Sequence, residues 1–482
     1  MKTGAIVDGS VRQTKPTERP REPEAAPAVE PGGLARLLRG STLSARAARS
    51  SAFAAAGFGA GQAIRLGSNL VLTRILFPED FGLMAIVLAV TTGLALLSDI
   101  GLGPAIMQSR AGDEPRFLDT AFTIQILRGA ILFLATCALA LPLASLYGEP
   151  LLGAILPVAG LSLLVSGFLP TKIETAHRHL RFGRVILLDL LSQIAGTIVV
   201  VALALWLRSV FALAIGLVAG AAIRLALVWV FLPGRGNRLG WDRPRARELV
   251  RFGIWIFAST ACAFVVQHAD KLLLAKLVPL DVLGFYAIAQ ILASAPIALQ
   301  AAILSRTMIP LYRERPPSAS AHNRVVLRRA RIGAAGGTIA LLALVALVGV
   351  PLVEFLYREP FTRAGPLVVL VACALMPAAA LAGIDQAALA AGDSRGFFAV
   401  VAVRALAHLA AFLAGYALFG LPGAIAGQAV AVLCAYPVLL RLLRRHGAAD
   451  PALDAALLAA SALLALLAIG VSVEAIAGLA LE

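Results

Sequence analysis

The side chains best suited to chemistry in this sequence are charged and amide groups that stand inside long apolar stretches. An Arg, Lys or Asp at the centre of a membrane helix costs about 2.5–3.5 kcal/mol on insertion scales, so it is expected to face a cavity or a partner. Gln62, Arg65 and Asn69 follow the spacing i, i+3, i+7, which puts them on one face of a helix. A second polar patch near the middle of the chain comprises Gln267, His268, Asp270 and Lys271.

Further polar residues interrupt other apolar stretches. The bases are Arg128, Arg224, Arg404 and His408, and the acids are Asp99 and Asp385. Because bases outnumber acids in the whole set, we predict a cationic cavity suited to an anionic cargo, such as a phosphate or pyrophosphate lipid headgroup or an acidic glycan. The predicted substrate-binding residues are Arg65, Asn69, Arg128, Gln267, His268, Lys271, Arg404 and His408.

A transporter that uses an ion gradient needs a carboxylate inside the membrane. The predicted ion-coupling residues are Asp99, Asp270 and Asp385. These residues leave proton coupling, sodium coupling and the absence of coupling open. We predict no cofactor and no metal site, because the four cysteines lie far apart and form no CxxC pair.

Some of these residues also have a purely structural interpretation. Asp189 and Glu174 are expected to pair at one membrane interface with nearby arginines, namely Arg178, Arg181 or Arg184. Arg224 either lines the cavity or extends its charged end towards the membrane surface.

The neighbours Asp270 and Lys271 point in different directions on a helix, so separate partners are expected for them. His268 and His408 are either ordinary buried residues or titrating ones. These alternatives stay open from the sequence.

The elements that must hold these residues are membrane helices. Of the 482 residues, 60% are hydrophobic and 14% are charged, against about 25% charged in soluble proteins. The net charge of +15 would suggest nucleic acid in a soluble chain, but here no nucleic-acid partner is predicted.

Stretches of about 20 apolar residues, long enough to cross a bilayer, recur along almost the whole chain. Twelve core spans are predicted at 52–74, 82–107, 119–146, 151–170, 185–206, 209–232, 252–277, 283–309, 331–356, 365–388, 397–419 and 422–443. The apolar run 453–481 adds one or two more helices. The predicted fold class is therefore an all-α membrane protein.

The basic residues predict the orientation of these spans. With the N-terminus inside, 22 Lys and Arg residues fall in inner loops and four fall in outer loops, at Arg208, Lys276, Arg358 and Arg363. Short cytoplasmic loops collect basic residues. The N-terminus is therefore predicted to be cytoplasmic, with the chain in a bacterial inner membrane.

An internal repeat relates the two halves of the chain at a constant offset of 202. Leu70, Leu72, Gly82, Ala85 and Ile86 match Leu272, Leu274, Gly284, Ala287 and Ile288. The match aligns the first span with the seventh, which leaves six helices in each half with the same orientation. This is the parallel-repeat plan of many transporters, whose substrate site lies between the halves near the membrane centre.

Four regions follow from these patterns. Residues 1–50 form a disordered basic cytoplasmic tail, in which 34–49 is either a short interfacial helix or a solvated tether. Residues 51–235 and 250–445 form the two six-helix halves, and 452–481 form the additional helix or helices.

The segment from Arg74 to Gln108, RILFPEDFGLMAIVLAVTTGLALLSDIGLGPAIMQ, resembles the opening of bacterial polysaccharide flippases. Pro78-Glu79-Asp80-Phe81-Gly82 forms the first part of that signature, and Asp99-Ile100-Gly101-Leu102-Gly103 begins the second. These flippases belong to the multidrug/oligosaccharidyl-lipid/polysaccharide exporter superfamily. The resemblance implies a V-shaped bundle with a central cavity, which moves undecaprenyl-pyrophosphate-linked glycans outward by alternating access. It also implies membrane lipids, a polysaccharide polymerase and a chain-length regulator as partners.

Three alternatives compete with this hypothesis. A multidrug/cation antiporter would favour an acidic cavity, whereas a flippase for lipid-linked peptidoglycan precursors shares the cationic one. A membrane glycosyltransferase could use Glu79 and Asp80 in the first outer loop. The sequence contains no HExxH motif, nucleophile elbow or P-loop, so we do not predict an enzyme.

Overall fold

The structure, a computed structural model, describes residues 43–99, 101–179 and 181–479, and within them the regular elements are all helical. The predicted tail up to residue 42 lies outside the described residues. Residues 43–49, the end of the segment for which a helix or a tether was predicted, already belong to the first helix. The prediction of an all-α protein is confirmed.

The helices, in chain order, are α1 Leu43–Leu72, α2 Pro78–Leu97, α3 Leu102–Gln108, α4 Pro115–Tyr147, α5 Leu151–Gly167, α6 Lys172–Arg178, α7 Phe182–Leu207, α8 Phe211–Phe231, α9 Arg243–Leu277, α10 Leu280–Glu314, α11 Ala321–Leu347, α12 Gly349–Leu356, α13 Ala364–Ala380, α14 Gln386–Ala390, α15 Ser394–Arg445, α16 Pro451–Val471 and α17 Val473–Leu479. A 3-10 turn, Phe361–Arg363, precedes α13.

Helix boundaries follow local chemistry that the sequence makes visible. Pro78 begins α2, where the backbone N–H of Phe77 donates to the Asp80 carboxylate at 3.0 Å. This carboxylate partner near the helix start satisfies one of the backbone donors that a helix end leaves free. Gly148 ends α4 with a φ of 74°, a conformation that glycine adopts without the Cβ penalty.

Nine described helical stretches, or ten if the bent pair α5–α6 is one span, are long and apolar enough to cross a membrane. The predicted count of twelve stays a prediction. The stretch α15 is counted once, although its backbone is non-helical at Phe419 and Gly420. That break separates two arms at the boundary predicted between spans 397–419 and 422–443.

Three predicted spans are interrupted in the structure. The span 82–107 breaks between α2 and α3, where Gly101 has a φ of 62° and its N–H donates to Asp99 Oδ1 at 2.9 Å. The span 331–356 is divided between α11 and α12, and 365–388 is divided between α13 and α14. Hydropathy alone does not register the second and third interruptions, because Val348 and most of residues 381–385 are themselves apolar or small.

The two halves meet in a reciprocal contact between α2 and α10. A Cβ on Gly82 would collide with the carbonyl oxygen of Leu280, and a Cβ on Gly284 would collide with that of Pro78. The offset of 202 relates both glycines and both carbonyls. A pair of contacts exchanged in this way is the signature of a two-fold relation, so the repeat seen in the sequence is expressed in the packing.

Helix α9 links the halves. Near its start, Ala246 and Leu249 pack in a cluster with Leu102, Ile106 and Phe117 of the N-terminal half. Near its end, Leu274 belongs to the large core that contains residues of both halves. The helix that bears the second polar patch therefore contacts the N-terminal half before it continues into the C-terminal one.

Candidate functional site

The central feature of the C-terminal half is a buried hydrogen-bond cluster around Asp270, which is 3% exposed. We call it the Asp270 network and define it as Asp270 on α9, Tyr286 and Gln290 on α10, and Gln428 on the second arm of α15. The Tyr286 hydroxyl donates to Asp270 Oδ2 at 2.5 Å. Gln290 Nε2 donates to the same oxygen at 3.0 Å and to the Tyr286 oxygen at 2.7 Å. Gln428 Nε2 donates to the Tyr286 oxygen at 2.9 Å.

The short phenol–carboxylate bond has the length of a charge-assisted hydrogen bond. Tyr286 and Gln290 are four residues apart, so one face of α10 presents both of them. The network therefore connects α9, α10 and the second arm of α15 by hydrogen bonds, and all of its members lie on helices rather than on loops.

The second oxygen of Asp270 has a different environment. Its Oδ1 is buried, accepts no hydrogen bond from the described residues, and lies 3.6 Å from Lys271 Nζ. The separate partners that were expected are present, Tyr286 and Gln290 for Asp270, but the long lysine side chain also folds back towards the carboxylate of the preceding residue. Lys271 Nζ also lies 3.4 Å from the carbonyl oxygen of Gln267.

Two histidines lie near this ion pair. His408 is buried, its Nε2 has no hydrogen-bond partner among the described residues, and it stacks on Phe412. Asp270, Lys271 and Arg404 are all within electrostatic range of it. His268 stacks on Phe264, and its buried Nδ1 is likewise without a partner in the described part of the chain.

A second acid–base couple stands next to this group. Arg404 lies one turn before His408 on the first arm of α15, and Asp385 immediately precedes α14. These two charges interact electrostatically with each other. The C-terminal half thus brings together Asp270, Lys271, His268, His408, Arg404 and Asp385, with each cation close to a carboxylate.

The arrangement around Asp270 is chemically suited to exchanging a small cation. One carboxylate oxygen accepts from two donors, whereas the other lies near the lysine ammonium and accepts no hydrogen bond within the described part of the chain. Displacement of Lys271 would leave an unpaired buried carboxylate, which costs free energy until a proton or another cation replaces it.

The predicted residues of the N-terminal half are not part of this cluster. Asn69 is buried at the end of α1, where its Oδ1 accepts from the Tyr357 hydroxyl at 2.9 Å. Arg65, one turn earlier, is exposed, and its side chain makes no hydrogen bond or ion pair with the described residues. Gly61, one turn earlier again, is buried and its carbonyl accepts from Gln193 Nε2 of α7 at 2.9 Å. Arg65 therefore lies on α1 between Gly61, which contacts the N-terminal half, and Asn69, which contacts the C-terminal half.

Arg128 lies against a helix end. Its Nε donates to Ser98 Oγ at 2.9 Å and its guanidinium also donates to the carbonyl of Ala95, both at the C-terminus of α2. Asp99 is within electrostatic range of it. A helix terminus leaves carbonyls without partners and carries partial negative charge, which explains why a cation is stable here.

Other arginines also pair differently from the expectation. Asp189 pairs with Arg224 at 2.8 Å, not with Arg178, Arg181 or Arg184. The reason is that α7 and α8 pack side by side and bring the two residues together. Glu174 lies 3.5 Å from His177, and Arg178 pairs with Asp113 at 3.0 Å.

Three tyrosines were missed from the sequence. Tyr286 joins the Asp270 network, and the hydroxyls of Tyr147 and Tyr357 each bond to the opposite half, Tyr147 to the carbonyl of Leu272 at 3.3 Å. Two signals could have found them. Leu146-Tyr147-Gly148-Glu149-Pro150 is repeated as Leu356-Tyr357-Arg358-Glu359-Pro360.

The second signal is a difference between the halves. At the offset of 202, Asp270, Tyr286 and Gln290 stand opposite Ser68, Met84 and Leu88. At two of these three positions an apolar residue of the first half is replaced by a hydrogen-bonding one in the second, and at the third a serine is replaced by a carboxylate. Such a difference marks positions at which the two halves are not equivalent.

Solved membrane transporters share this fold. The chain matches the lipid II flippase MurJ in an inward closed conformation with a TM-score of 0.60 at 11% identity, over 85% of this chain and 96% of that one. It matches the eukaryotic MATE transporter AtDTX14 with a TM-score of 0.57 at 14% identity, over 87% and 99%. The protein is thus a multi-pass helical membrane protein with the fold of these transporters.

Residues 71–366 match the model of a family described as polysaccharide biosynthesis protein, and the chain belongs to that family. The predicted resemblance is confirmed. Two relatives are the succinoglycan biosynthesis transport protein ExoT of Rhizobium meliloti (strain 1021), 24% identical over 226 residues, and the amylovoran biosynthesis protein AmsL of Erwinia amylovora, 25% identical over 201 residues. The matches cover 47% and 41% of this chain and 45% and 51% of the relatives, so the chain spans about half the length of the curated relatives it matches.

Proposed function

We propose that this protein is a flippase that moves an undecaprenyl-pyrophosphate-linked oligosaccharide repeat unit from the cytoplasmic to the periplasmic leaflet of the bacterial inner membrane. Its product would feed exopolysaccharide, capsule or O-antigen assembly. Support comes from membership of the polysaccharide biosynthesis family, from a relative named as a succinoglycan transport protein, and from the transporter fold. The same proposal includes a cytoplasmic N-terminus, and a polymerase and a chain-length regulator as partners.

The observation that carries the proposal is the location of the contacts between the two halves. The Gly82–Gly284 crossing, the Tyr147–Leu272 bond and the Tyr357–Asn69 bond all lie near the turns that join α1 to α2 and α9 to α10. Alternating access requires two halves that can separate at one end while they meet at the other. The two tyrosine hydrogen bonds lie at corresponding places in the two halves, so one relative motion of the halves would break or re-form both of them.

Arg65 is our first candidate for binding the pyrophosphate. It is exposed on a helix face whose neighbours one turn away on each side are buried, and it has no carboxylate partner among the described residues. A guanidinium binds phosphate oxygens in a bidentate manner. Asn69, Arg128, Gln267, His268, Lys271, Arg404 and His408 remain proposed contributors.

Asp270 is our first candidate for coupling to a proton or sodium gradient, with Asp99 and Asp385 as the others. The exchange of Lys271 for a proton or sodium ion at Asp270 Oδ1 would alter the contacts of α9. Because α9 packs on both halves, such an exchange offers a physical route from ion binding to their relative motion.

The test is outward flipping of a fluorescent lipid-linked oligosaccharide in proteoliposomes that contain the full chain. Arg65→Gln is expected to lower the initial rate roughly tenfold or more, because a charge-assisted contact to the anion is lost. Arg74→Gln is the matched control, since Arg74 follows the same helix and is also exposed. Equal rates for wild type and Arg65→Gln would contradict the assignment of Arg65.

A deletion strain separates the proposed cargo from the nearest alternative. Accumulation of lipid-linked repeat units on the cytoplasmic face supports the proposal. Accumulation of lipid-linked peptidoglycan precursor instead would identify a peptidoglycan-precursor flippase, and export of a cationic drug by the wild type would identify an antiporter. Repeat units that accumulate on the outer face would point to an enzyme acting after translocation.

A further inference from the structure

A basic pocket lies in the N-terminal half, away from the Asp270 network. It forms where α4, α6 and α7 begin and α8 ends, and its volume is about 550 Å³. Four of its lining side chains, Lys172, Arg181, Arg184 and Arg235, are positively charged at neutral pH, and one, Asp113, is negatively charged. This volume falls within the range of about 300–1,000 Å³ that is typical of ligand pockets.

Two of the four cations are already held by the protein. Lys172 Nζ lies 3.2 Å from the carbonyl oxygen of Trp229 and 3.3 Å from that of Leu232, at the C-terminus of α8. Arg235 lies 3.2 Å from Asp119. The single acid of the lining, Asp113, is shared between Arg178 and His179, at 3.0 Å from each. None of these carboxylates is left to neutralise the remaining two arginines.

Arg181 and Arg184 are those remaining cations. Both are exposed, and neither side chain makes a hydrogen bond or an ion pair with the described residues. They flank the start of α7, a helix of 26 residues whose first turn receives no side-chain cap. The free N–H groups and partial positive charge of a helix start add to the two guanidinium groups. The pocket therefore holds uncompensated positive charge inside a cavity.

The depth of the pocket indicates where an anion would come from. Arg181 and Arg184 lie at the start of α7, and Trp229 lies near the end of α8; both helices are apolar enough to span a membrane. Trp residues gather at the membrane–water interface, and the Lys172 ammonium lies 5.4 Å from the Trp229 ring centre. These features indicate that the pocket lies near the level of the lipid headgroups.

We propose that this pocket is a second anion site, which binds a phosphate group through Arg181 and Arg184. Guanidinium groups bind phosphate oxygens in pairs, and two arginines one turn apart present their donors to one ligand. The phosphate is either that of an anionic phospholipid or a free or substrate-borne pyrophosphate. The site does not involve Arg65 or the Asp270 network.

The test measures binding to the purified full chain in uncharged detergent micelles. Inorganic pyrophosphate is one probe and phosphatidylglycerol is the other, with phosphatidylcholine, which has no net charge, as the reference lipid. Stabilisation of the folded protein with rising probe concentration gives the affinity. Arg181→Gln/Arg184→Gln is the test variant. Arg110→Gln/Arg116→Gln is the matched control, because both arginines are exposed at the same end of the same half and outside the pocket lining.

We expect saturable binding of at least one charged probe by the wild type, and a loss of affinity of roughly tenfold or more in the test variant. The control variant should bind as the wild type does. Binding of phosphatidylglycerol alone assigns the site to membrane lipid, and binding of pyrophosphate alone assigns it to a free or substrate-borne group. Arg184→Gln replaces the double variant if the latter does not accumulate.

The proposal is overturned if neither charged probe binds the wild type, if the test variant binds as tightly as the wild type, or if the control variant loses affinity equally. No transport step enters this measurement. A negative result in this binding assay would therefore not contradict the flippase proposal. Conversely, normal phosphate binding would not support that proposal if no flipping were measured.

Discussion

At the scale of single residues, the Tyr286 hydroxyl is the point at which most bonds of the Asp270 network meet. It donates to the carboxylate and accepts from two amides, and the tyrosine side chain is fully buried. A buried polar group that loses its partner costs more than the bond contributed. The network should therefore respond strongly to the loss of one oxygen atom.

Tyr286→Phe is expected to lower the free energy of unfolding by about 1–3 kcal/mol, because Gln290, Gln428 and Asp270 all lose a partner. The measurement is the unfolding transition of the purified protein in micelles. Tyr416→Phe is the matched control, since its hydroxyl makes one bond, to the carbonyl of Leu277 at 2.6 Å. A loss in Tyr286→Phe no larger than in Tyr416→Phe would contradict the central place of this hydroxyl.

At the scale of elements, α15 is a helical hairpin. The ends of its two arms are joined by a contact between Asp393 and His446. Asp393, just before α15, accepts from the N–H of Gly396 at 2.8 Å and lies 3.1 Å from His446 Nε2, just after it. Where the arms cross, a Cβ on Gly415 would collide with the carbonyl of Gly423. Small residues permit such close approach of helices in lipid.

This hairpin has an expected pH dependence. The Gly396 N–H and the His446 side chain hold the pKa of Asp393 below its usual value. Because the folded pKa is the lower one, the carboxylate's contribution to stability is present above the unfolded value of about 3.9 and is lost as the pH falls through the folded pKa. The difference in unfolding midpoint between wild type and Asp393→Asn should thus shrink as the pH falls below about 4.

His446→Gln provides the check on this interpretation. In its background, the effect of Asp393→Asn at neutral pH should be smaller than in the wild type, because the two residues share one contact. Effects that simply add would show that the carboxylate acts through the Gly396 cap alone.

The sequence predicted the elements better than the contacts. Hydropathy is a local signal and located most of the helices, as in the predicted span 119–146, which lies within α4. The ends were less accurate: the second span was predicted from residue 82, whereas its helix begins at Pro78. The contacts of charged residues were harder to predict, because a charged side chain in an apolar helix can be stabilised by several kinds of partner. Arg128 caps a helix end and Asp189 meets Arg224, and these partners lie 30 or more residues away in sequence. Only the repeat related residues over such distances: it matched Gly82 with Gly284, and the structure shows that these two equivalent positions also contact each other.

At the scale of the whole molecule, the two halves cross through backbone at Gly82 and Gly284 rather than through side chains. The crossing depends on the absence of a Cβ on both sides. Gly67 offers a contrast, since nothing lies within 4 Å of the position its Cβ would take.

Gly82→Ala and Gly284→Ala are each expected to destabilise the protein by about 1–3 kcal/mol through overpacking. Gly67→Ala should be neutral or stabilising by up to about 1 kcal/mol, because alanine favours a helix interior. The unfolding transition measures both effects. The double variant should lose less than the sum of the single losses, since both act at one contact. Tolerance of Gly82→Ala equal to that of Gly67→Ala would contradict the close crossing.

The position of this crossing along α2 makes the helix a lever. Gly82 is only about 6 Å of helix from Pro78, whereas Leu97 lies about 22 Å beyond it, at 1.5 Å per residue. A rotation about the crossing that moves the short end by about 1 Å would sweep the long end by nearly 4 Å. A small rotation that breaks the Tyr147–Leu272 and Tyr357–Asn69 hydrogen bonds beside the crossing would therefore produce a larger displacement at the opposite end of α2.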